Sequence, residues 1–205
     1  MFNLNSIIIF LLAYLIGSFS GSMFVSRTFF KEDIRKKGSG NAGTTNTFRA
    51  YGLKYSLISL VIDFAKGYLA VFLANYLATN YFVSIQDYAK YIAGVAVIVG
   101  HVWPIYYGFK GGKGMATSFG VNLYFDPIVF LIQVTELVAI NLLFKIMSLT
   151  SIIITLTVLV YVGFKGNTAW FIMTLINSII IIYSHRSNIK RLINNEENTI
   201  SRLEE

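Results

Sequence analysis

The sequence predicts an all-α integral membrane protein, a bundle of seven transmembrane helices. Three observations carry this reading. Of the 205 residues, 55% are hydrophobic and only 13% charged, against roughly 25% charge in an ordinary soluble domain; mean hydropathy is +0.62. Long apolar runs recur along the chain. Basic residues gather at alternate breaks between those runs.

The apolar runs cover about 4–26, 53–79, 88–107, 113–125, 128–145, 149–163 and 168–184. A full crossing needs about 20 residues, so the fourth and sixth runs are short. The first has no basic side chain ahead of it and no small-x-small cleavage site after it, and Arg27 and Lys31 follow. It is expected to stay in place as the first helix rather than be removed as a signal. Gly17 and Gly21 form a GxxxG pattern in it, the signature of close helix packing. In the second run, Asp63 and Lys66 lie one turn apart, the spacing of an intramembrane ion pair that fixes helix packing. Asp126 and Pro127 separate runs four and five; Gly163 to Asn167 separate six and seven. One membrane-embedded domain, residues 1–205, is expected, with no internal repeat.

Charge sets the orientation. Arg27, Lys31, Arg35, Lys36, Lys37, Arg49 and Lys54 flank the first loop, Lys110 and Lys113 lie in the third, and Arg186, Lys190, Arg191 and Arg202 lie in the tail. The positive-inside rule puts these three segments in the cytoplasm, with the N-terminus outside and the C-terminus cytoplasmic. That needs an odd number of crossings: seven fits the runs, and five is the count if the two short ones are re-entrant. Net charge is +7. Because the basic residues sit beside apolar spans, anionic lipid and phosphate ligands fit them better than nucleic acid does. The absence of cysteine excludes disulfides, a thiolate nucleophile and Cys-ligated metals.

Three polar segments fall on this same face, at 38–49, 100–117 and 185–192. In the first, Gly38, Gly40 and Gly43 allow positive φ and close backbone approach. Ser39, Thr44 and Thr45 offer hydroxyls, Asn41 and Asn46 amides, and Arg49 a charged fork suited to phosphate oxygens. In the second, Lys110, Gly111, Gly112, Lys113 and Gly114 resemble a nucleotide-binding loop but fail its spacing. Only three residues separate Gly108 from Gly112-Lys113, and Gly114 stands where a hydroxyl is required. What remains is two lysines on flexible backbone opening a helix, where N–H groups and the dipole favour anions. His101 and His185 are the only histidines. His101, beside Trp103 and Pro104, reads as a packing or helix-end residue, and His185, beside Arg186, Asn188 and Arg191, as a site residue. Two histidines with scattered carboxylates make no zinc site, so neither metal nor cofactor is expected. The tail from Arg186 to Asn194 can form a short interfacial helix, and Glu196, Glu197, Glu204 and Glu205 read as a solvated end.

Taken in order, Gly38-Ser-Gly-Asn-x-Gly-x-Thr-Asn-x-x-Arg49, Gly100-His-x-x-Pro with Phe109-Lys-Gly-Gly-Lys-Gly-x-Ala-Thr117, and His185-x-x-Asn-Ile-x-Arg-Leu192 continuing to Glu197 resemble the bacterial acyl-phosphate:glycerol-3-phosphate acyltransferases, the PlsY family. Met115 stands where that family commonly has Val, and Asn195 where it usually has Gly. Asn is the next-best residue for a left-handed turn, so the local geometry is expected to survive. The resemblance spans nearly the whole chain. It implies a seven-helix enzyme of the bacterial cytoplasmic membrane with its site facing the cytoplasm. The implied reaction moves an acyl group from acyl phosphate to the 1-hydroxyl of sn-glycerol 3-phosphate, releasing lysophosphatidic acid and phosphate, the first acylation of bacterial phospholipid synthesis. An acyl-phosphate-producing enzyme is the implied partner.

On this reading Ser39 and His185 are the candidate catalytic residues. Gly40, Asn41, Thr45, Asn46, Arg49, Lys110, Gly111, Gly112, Lys113, Gly114, Arg186, Asn188 and Arg191 are the candidate substrate-binding set. The hydroxyl's proton goes either to His185 or to a substrate phosphate. The competing class is a transporter or channel for an anionic metabolite, whose binding groups belong near the midplane.

Overall fold

The computed structural model describes residues 3–200, so Arg202, Glu204 and Glu205 lie outside it. Ten α-helices follow one another among the described residues: α1 (Leu4–Ser18), α2 (Gly21–Phe29), α3 (Thr44–Tyr51), α4 (Leu53–Asn80), α5 (Ala89–Val102), α6 (Met115–Phe125), α7 (Pro127–Phe144), α8 (Met147–Phe164), α9 (Thr168–Ser184) and α10 (Arg186–Ile193). Among the described residues four stretches are long and apolar enough to cross a bilayer: α4, α5 with its continuation to Tyr107, α7 and α8. Two bent pairs extend this to six, α1 with α2 at 41° and α9 with α10 at 59°.

Two runs, the first and the sixth, differ from expectation, and the fourth is short as expected. The first is not one helix but breaks at Phe19 and Ser20. The fourth becomes α6, whose 11 residues span about 16 Å at 1.5 Å per residue, roughly half of a hydrocarbon core of about 30 Å. The sixth grows into α8, which has 18 residues. Asp126 ends α6 and caps α7, accepting a hydrogen bond from Ile128 N at 2.8 Å ahead of Pro127 at the first helical position.

The break in the first run is chemically answered from α4. Breaking a helix in an apolar medium frees backbone groups that water does not reach. Lys66 Nζ donates to the Phe19 carbonyl at 2.6 Å, and the Gly21 N–H donates to Asp63 Oδ1 at 3.1 Å. Lys66 and Asp63 pair with each other at 2.8 Å. The pair read from the sequence as a packing device therefore also caps both sides of a helix break.

Helix α5 lies centrally, packed on α1, α4, α6 and α9, with Ala93, Ala96, Val97 and Ile98 fully buried. Backbones meet closely here: a Cβ on Gly17 would strike the Val97 carbonyl and one on Gly100 the Tyr14 carbonyl. Polar contacts mark the two ends of the bundle. At one end Asn3 and Asn5 donate to Ser84 at 3.1 and 3.3 Å, Lys165 pairs with Asp126 at 3.1 Å, and Asn167 donates to Tyr91 at 3.2 Å. At the other end lie the loop before α3, the loop between α5 and α6, the α7–α8 turn and the tail. Arg35 there donates to the Tyr107 carbonyl at 2.7 Å, and the Ile200 N–H to the Lys145 carbonyl at 2.8 Å.

The α1–α5 contact predicts that Gly17→Leu lowers stability by about 1–3 kcal/mol through overpacking. Leu11→Ala, on a lipid-facing side chain, should change it by no more than about 0.5 kcal/mol. Melting of the two purified variants in detergent measures the contrast.

Candidate active site

One cavity of about 510 Å³ opens at the loop-rich end. It is amphiphilic. Its polar part is walled by Ser39, Asn41, Thr45, Arg49, Lys113, His185, Asn188 and Glu197, and its apolar part by side chains of α4, α6 and α7 that include Val61, Phe64, Phe119, Phe130, Val134 and Leu137.

The first loop is shaped by a buried amide. Asn46 donates to the Ile34 and Lys37 carbonyls at 3.2 and 3.0 Å and accepts from the Ser39 N–H at 2.9 Å. Its hydrogen-bonding groups are thereby engaged in holding the loop, and Ser39 is held at the cavity wall. Gly40 takes φ 72°, a left-handed conformation that glycine adopts without strain. Gly43 then caps α3, so Thr44 and Thr45 open the helix and Arg49 follows one turn after Thr45.

The second loop folds back along the end of α5. The Phe109 N–H donates to the Pro104 carbonyl at 2.9 Å, and the Gly111 and Gly112 N–H groups to the Val102 and His101 carbonyls at 3.1 Å each. A Cβ at Gly112 would collide with His101 Nε2 and approach the Ala42 carbonyl to 2.9 Å, so this position has room only for glycine. Gly114 at φ 89° caps α6, and Lys113 bonds to Asn188 Oδ1. Behind the loop, His101 Nδ1 lies 3.1 Å from Thr117 Oγ1 and 3.6 Å from Asp63 Oδ1.

The tail supplies the third wall. His185, just beyond the end of α9, donates from Nδ1 to the Ile181 carbonyl at 2.8 Å. A carbonyl only accepts, so the neutral ring carries its proton on Nδ1 and Nε2 keeps a lone pair. Asn188 donates to Glu197 Oε1 at 2.7 Å and Arg191 pairs with Glu197 Oε2 at 2.8 Å. Arg49 donates to the Thr199 carbonyl at 3.1 Å.

Residues at three helix N-termini therefore wall the cavity: Thr44 and Thr45 of α3, Gly114 and Met115 before and in α6, and His185 and Asn188 of α10. Unpaired N–H groups and the positive dipole end make each a place for negative charge. Burial lowers the Lys113 pKa to about 8, Glu197 opposing the shift and Arg191 and Arg49 adding to it. Burial, with Lys113 nearby, lowers that of His185 to about 4, so its imidazole is neutral at pH 7.

A family model described as glycerol-3-phosphate acyltransferase matches residues 7–195. The chain belongs to that family. It is 39% identical over 197 residues to the glycerol-3-phosphate acyltransferase of Alkaliphilus metalliredigens, covering 96% of this chain and 97% of that one. It is 36% identical over 194 residues to that of Listeria monocytogenes, covering 95% and 96%. A crystal structure of PlsY (YgiH), an integral membrane glycerol 3-phosphate acyltransferase in its glycerol 3-phosphate form, superposes with a TM-score of 0.86 at 31% identity over 96% of each chain. The lysophosphatidic acid form of PlsY superposes with a TM-score of 0.81 at 31% identity, covering 95% of this chain and 94% of that one. The fold is thus that of an integral membrane acyltransferase family.

Against this cavity the sequence expectations divide. The cavity wall brings together Ser39, Asn41, Thr45, Asn46, Arg49, Lys113, Gly114, His185 and Asn188. Gly40, Lys110, Gly111, Gly112, Arg186 and Arg191 do not line it. Lys110 is exposed, Arg186 lies over the Tyr183 ring at 4.5 Å, and Arg191 reaches the site only through Glu197. One reading is corrected: Glu197 is not a solvated end but a buried carboxylate, its side chain 5% exposed. His101 is packed as expected and also lines the cavity, and Asn46 both lines the cavity and holds the loop. The continuation of the third motif to Glu197, past Asn195 at φ 58°, was the signal available for that carboxylate.

The Lys113 environment predicts a pH dependence. The ammonium is charged below about pH 8 and neutral above it, so affinity for a phosphate dianion falls as pH rises through that value. The alkaline limb of kcat/KM for glycerol 3-phosphate, which reports free-enzyme groups, should have its midpoint near 8. It should be absent in Lys113→Arg, whose guanidinium stays charged.

Proposed function

We propose that this protein transfers an acyl group from acyl phosphate to the 1-hydroxyl of sn-glycerol 3-phosphate, giving lysophosphatidic acid and phosphate. The observation that carries this is an amphiphilic cavity of about 510 Å³, with anion-seeking groups at one end and an apolar groove leading from it. Both substrates and the product join a phosphate to polar or acyl parts that such a cavity accommodates together.

Ser39, Thr45, Arg49, Lys113 and Asn188 hold the phosphates, aided by the three helix N-termini. Around the polar end stand Arg49, Lys113 and Arg191 against the carboxylate of Glu197, while Asp63 on the cavity wall is neutralised by its pairing with Lys66. The excess of two positive charges matches a phosphate dianion. The hydroxyl oxygen attacks the acyl carbonyl carbon, the new ester bond forms, and the bond from that carbon to the phosphate oxygen breaks. Acyl phosphate is already activated, so positioning and charge stabilisation supply the catalysis without a covalent enzyme intermediate. Neutral His185 accepts a hydrogen bond from the attacking hydroxyl through Nε2. Its depressed pKa of about 4 makes it a weaker base than a phosphate dianion, whose protonated form has a pKa of roughly 6. This favours a substrate phosphate as the final proton acceptor.

The single domain crosses the membrane seven times, with α1–α2 as one crossing and α6 as a short one buried between α4 and α7. The clustering of Ser84, Tyr91, Asp126, Lys165 and Asn167 contacts at one end, and of loops and tail at the other, supports that count. The basic loops support a cytoplasmic site in the bacterial cytoplasmic membrane, reached by acyl phosphate from within the bilayer after its synthesis by a separate enzyme. Cysteines placed singly at Lys36, Gly108 and Asn194 should resist an impermeant thiol reagent in intact cells and react in inverted vesicles; labelling from outside would reverse the orientation.

Purified protein given acyl phosphate and glycerol 3-phosphate should release phosphate and lysophosphatidic acid in equal amounts. Arg49→Ala should weaken glycerol 3-phosphate binding by about 10- to 100-fold, the worth of one charged hydrogen bond. His185→Ala separates the two proton routes. A fall in kcat of about 10²–10⁴-fold at saturating substrates is the signature of a general base, and a fall of only a few-fold that of proton transfer to phosphate.

A further inference from the structure

The apolar part of the cavity has a distinct far end. On α4 the wall residue farthest from the polar mouth is Phe64, on α6 it is Phe119, and on α7 it is Phe130. These three rings touch: the Phe64 and Phe130 centroids lie 5.6 Å apart and those of Phe119 and Phe130 6.3 Å apart, the latter edge to face. Helices α4 and α7 both pack on α6 but scarcely on each other. The groove therefore has α6 as its back, α4 and α7 as its sides, and an opening toward lipid where Val61 is 62% exposed. The Phe64–Phe130 contact bridges the gap between its sides.

We propose that Phe64, Phe119 and Phe130 form the floor of the acyl groove and determine how the enzyme discriminates acyl chains by length, an inference that rests on the acyl transfer proposed above. Leu137, at the mouth side of α7, and Phe130 are seven residues apart, about 10 Å by the helical rise, the length of roughly eight extended methylenes. A shorter chain ends above the rings. A longer one meets them and turns along their faces toward the α4–α7 opening. Aromatic rings suit this task because they present broad apolar faces and lose little freedom on contact.

The test is a series of saturated acyl phosphates from six to sixteen carbons, with kcat/KM measured for wild type, Phe130→Ala, Phe130→Leu and Phe64→Leu. The ratio of variant to wild type should stay constant for the shortest donors. Beyond about eight to ten carbons it should depart from that constant by about fivefold or more, the scale of one to two altered methylene contacts. The milder leucine variants carry the test if Phe130→Ala does not fold. A ratio that is the same at every chain length in the folded variants overturns the floor. Wild-type protein that acylates glycerol 3-phosphate from none of the donors overturns the proposed reaction instead.

Discussion

The architecture hangs on one ion pair. Asp63 and Lys66 sit on α4 within the membrane, where lone charges are costly and a pair needs further hydrogen bonds to be tolerated. They find those bonds at the break between α1 and α2: the Phe19 carbonyl faces the ammonium and the Gly21 amide faces the carboxylate. The same carboxylate oxygen lies near His101 on α5, and His101 in turn fills the space that the missing side chain of Gly112 leaves. A line of contacts thus runs from α1 through α4 and α5 to the loop that carries Lys113. Replacing either charge alone would strand the other and release the break, so the effect should extend from bundle stability to the position of Lys113 at the cavity wall.

The site is assembled from elements that individually do little. An eight-residue helix such as α3 is marginal alone, and α6, with 11 residues, is short for a crossing. Their value lies in where they start. Each opens at the cavity, so backbone amides add fixed positive potential to that of Arg49 and Lys113 without further ionisable groups. The paired tail carboxylate of Glu197 balances part of this charge, which limits the electrostatic strain of gathering cations at a partly buried place.

Much of this was readable from the chain and some was not. Apolar runs report burial in lipid directly, so the membrane class and most helix positions followed from composition. The motifs around Ser39, Lys113 and His185 were legible because anchoring an apolar span needs lysine or arginine but not the glycines, amides and histidine gathered beside them. The break at Phe19 was hidden, since serines and glycines in that run read equally well as packing residues; only the partners on α4 reveal it. Asn46 and Arg191 show a second limit: residue type indicates hydrogen-bonding capacity but not whether the loop or the ligand uses it. Glu197 was masked by the polar tail around it, because pairing over six residues across a left-handed turn leaves no helical periodicity.

The tail's position has a consequence for how the protein comes into being. Asn188 and Glu197 complete a wall begun by Ser39 and Lys113, and Ile200 pins that wall to the α7–α8 turn. Chains emerge from the ribosome N-terminus first, so the cavity-lining groups of the first two loops exist in the membrane before Asn188 and Glu197 are made. A nascent chain halted before α10 would hold the cationic loops and the apolar groove but lack His185, Asn188 and the carboxylate that balances them. The cavity wall is therefore closed only once α10 and the segment to Ile200 have been made, and a chain halted before them would occupy the bilayer with that wall open.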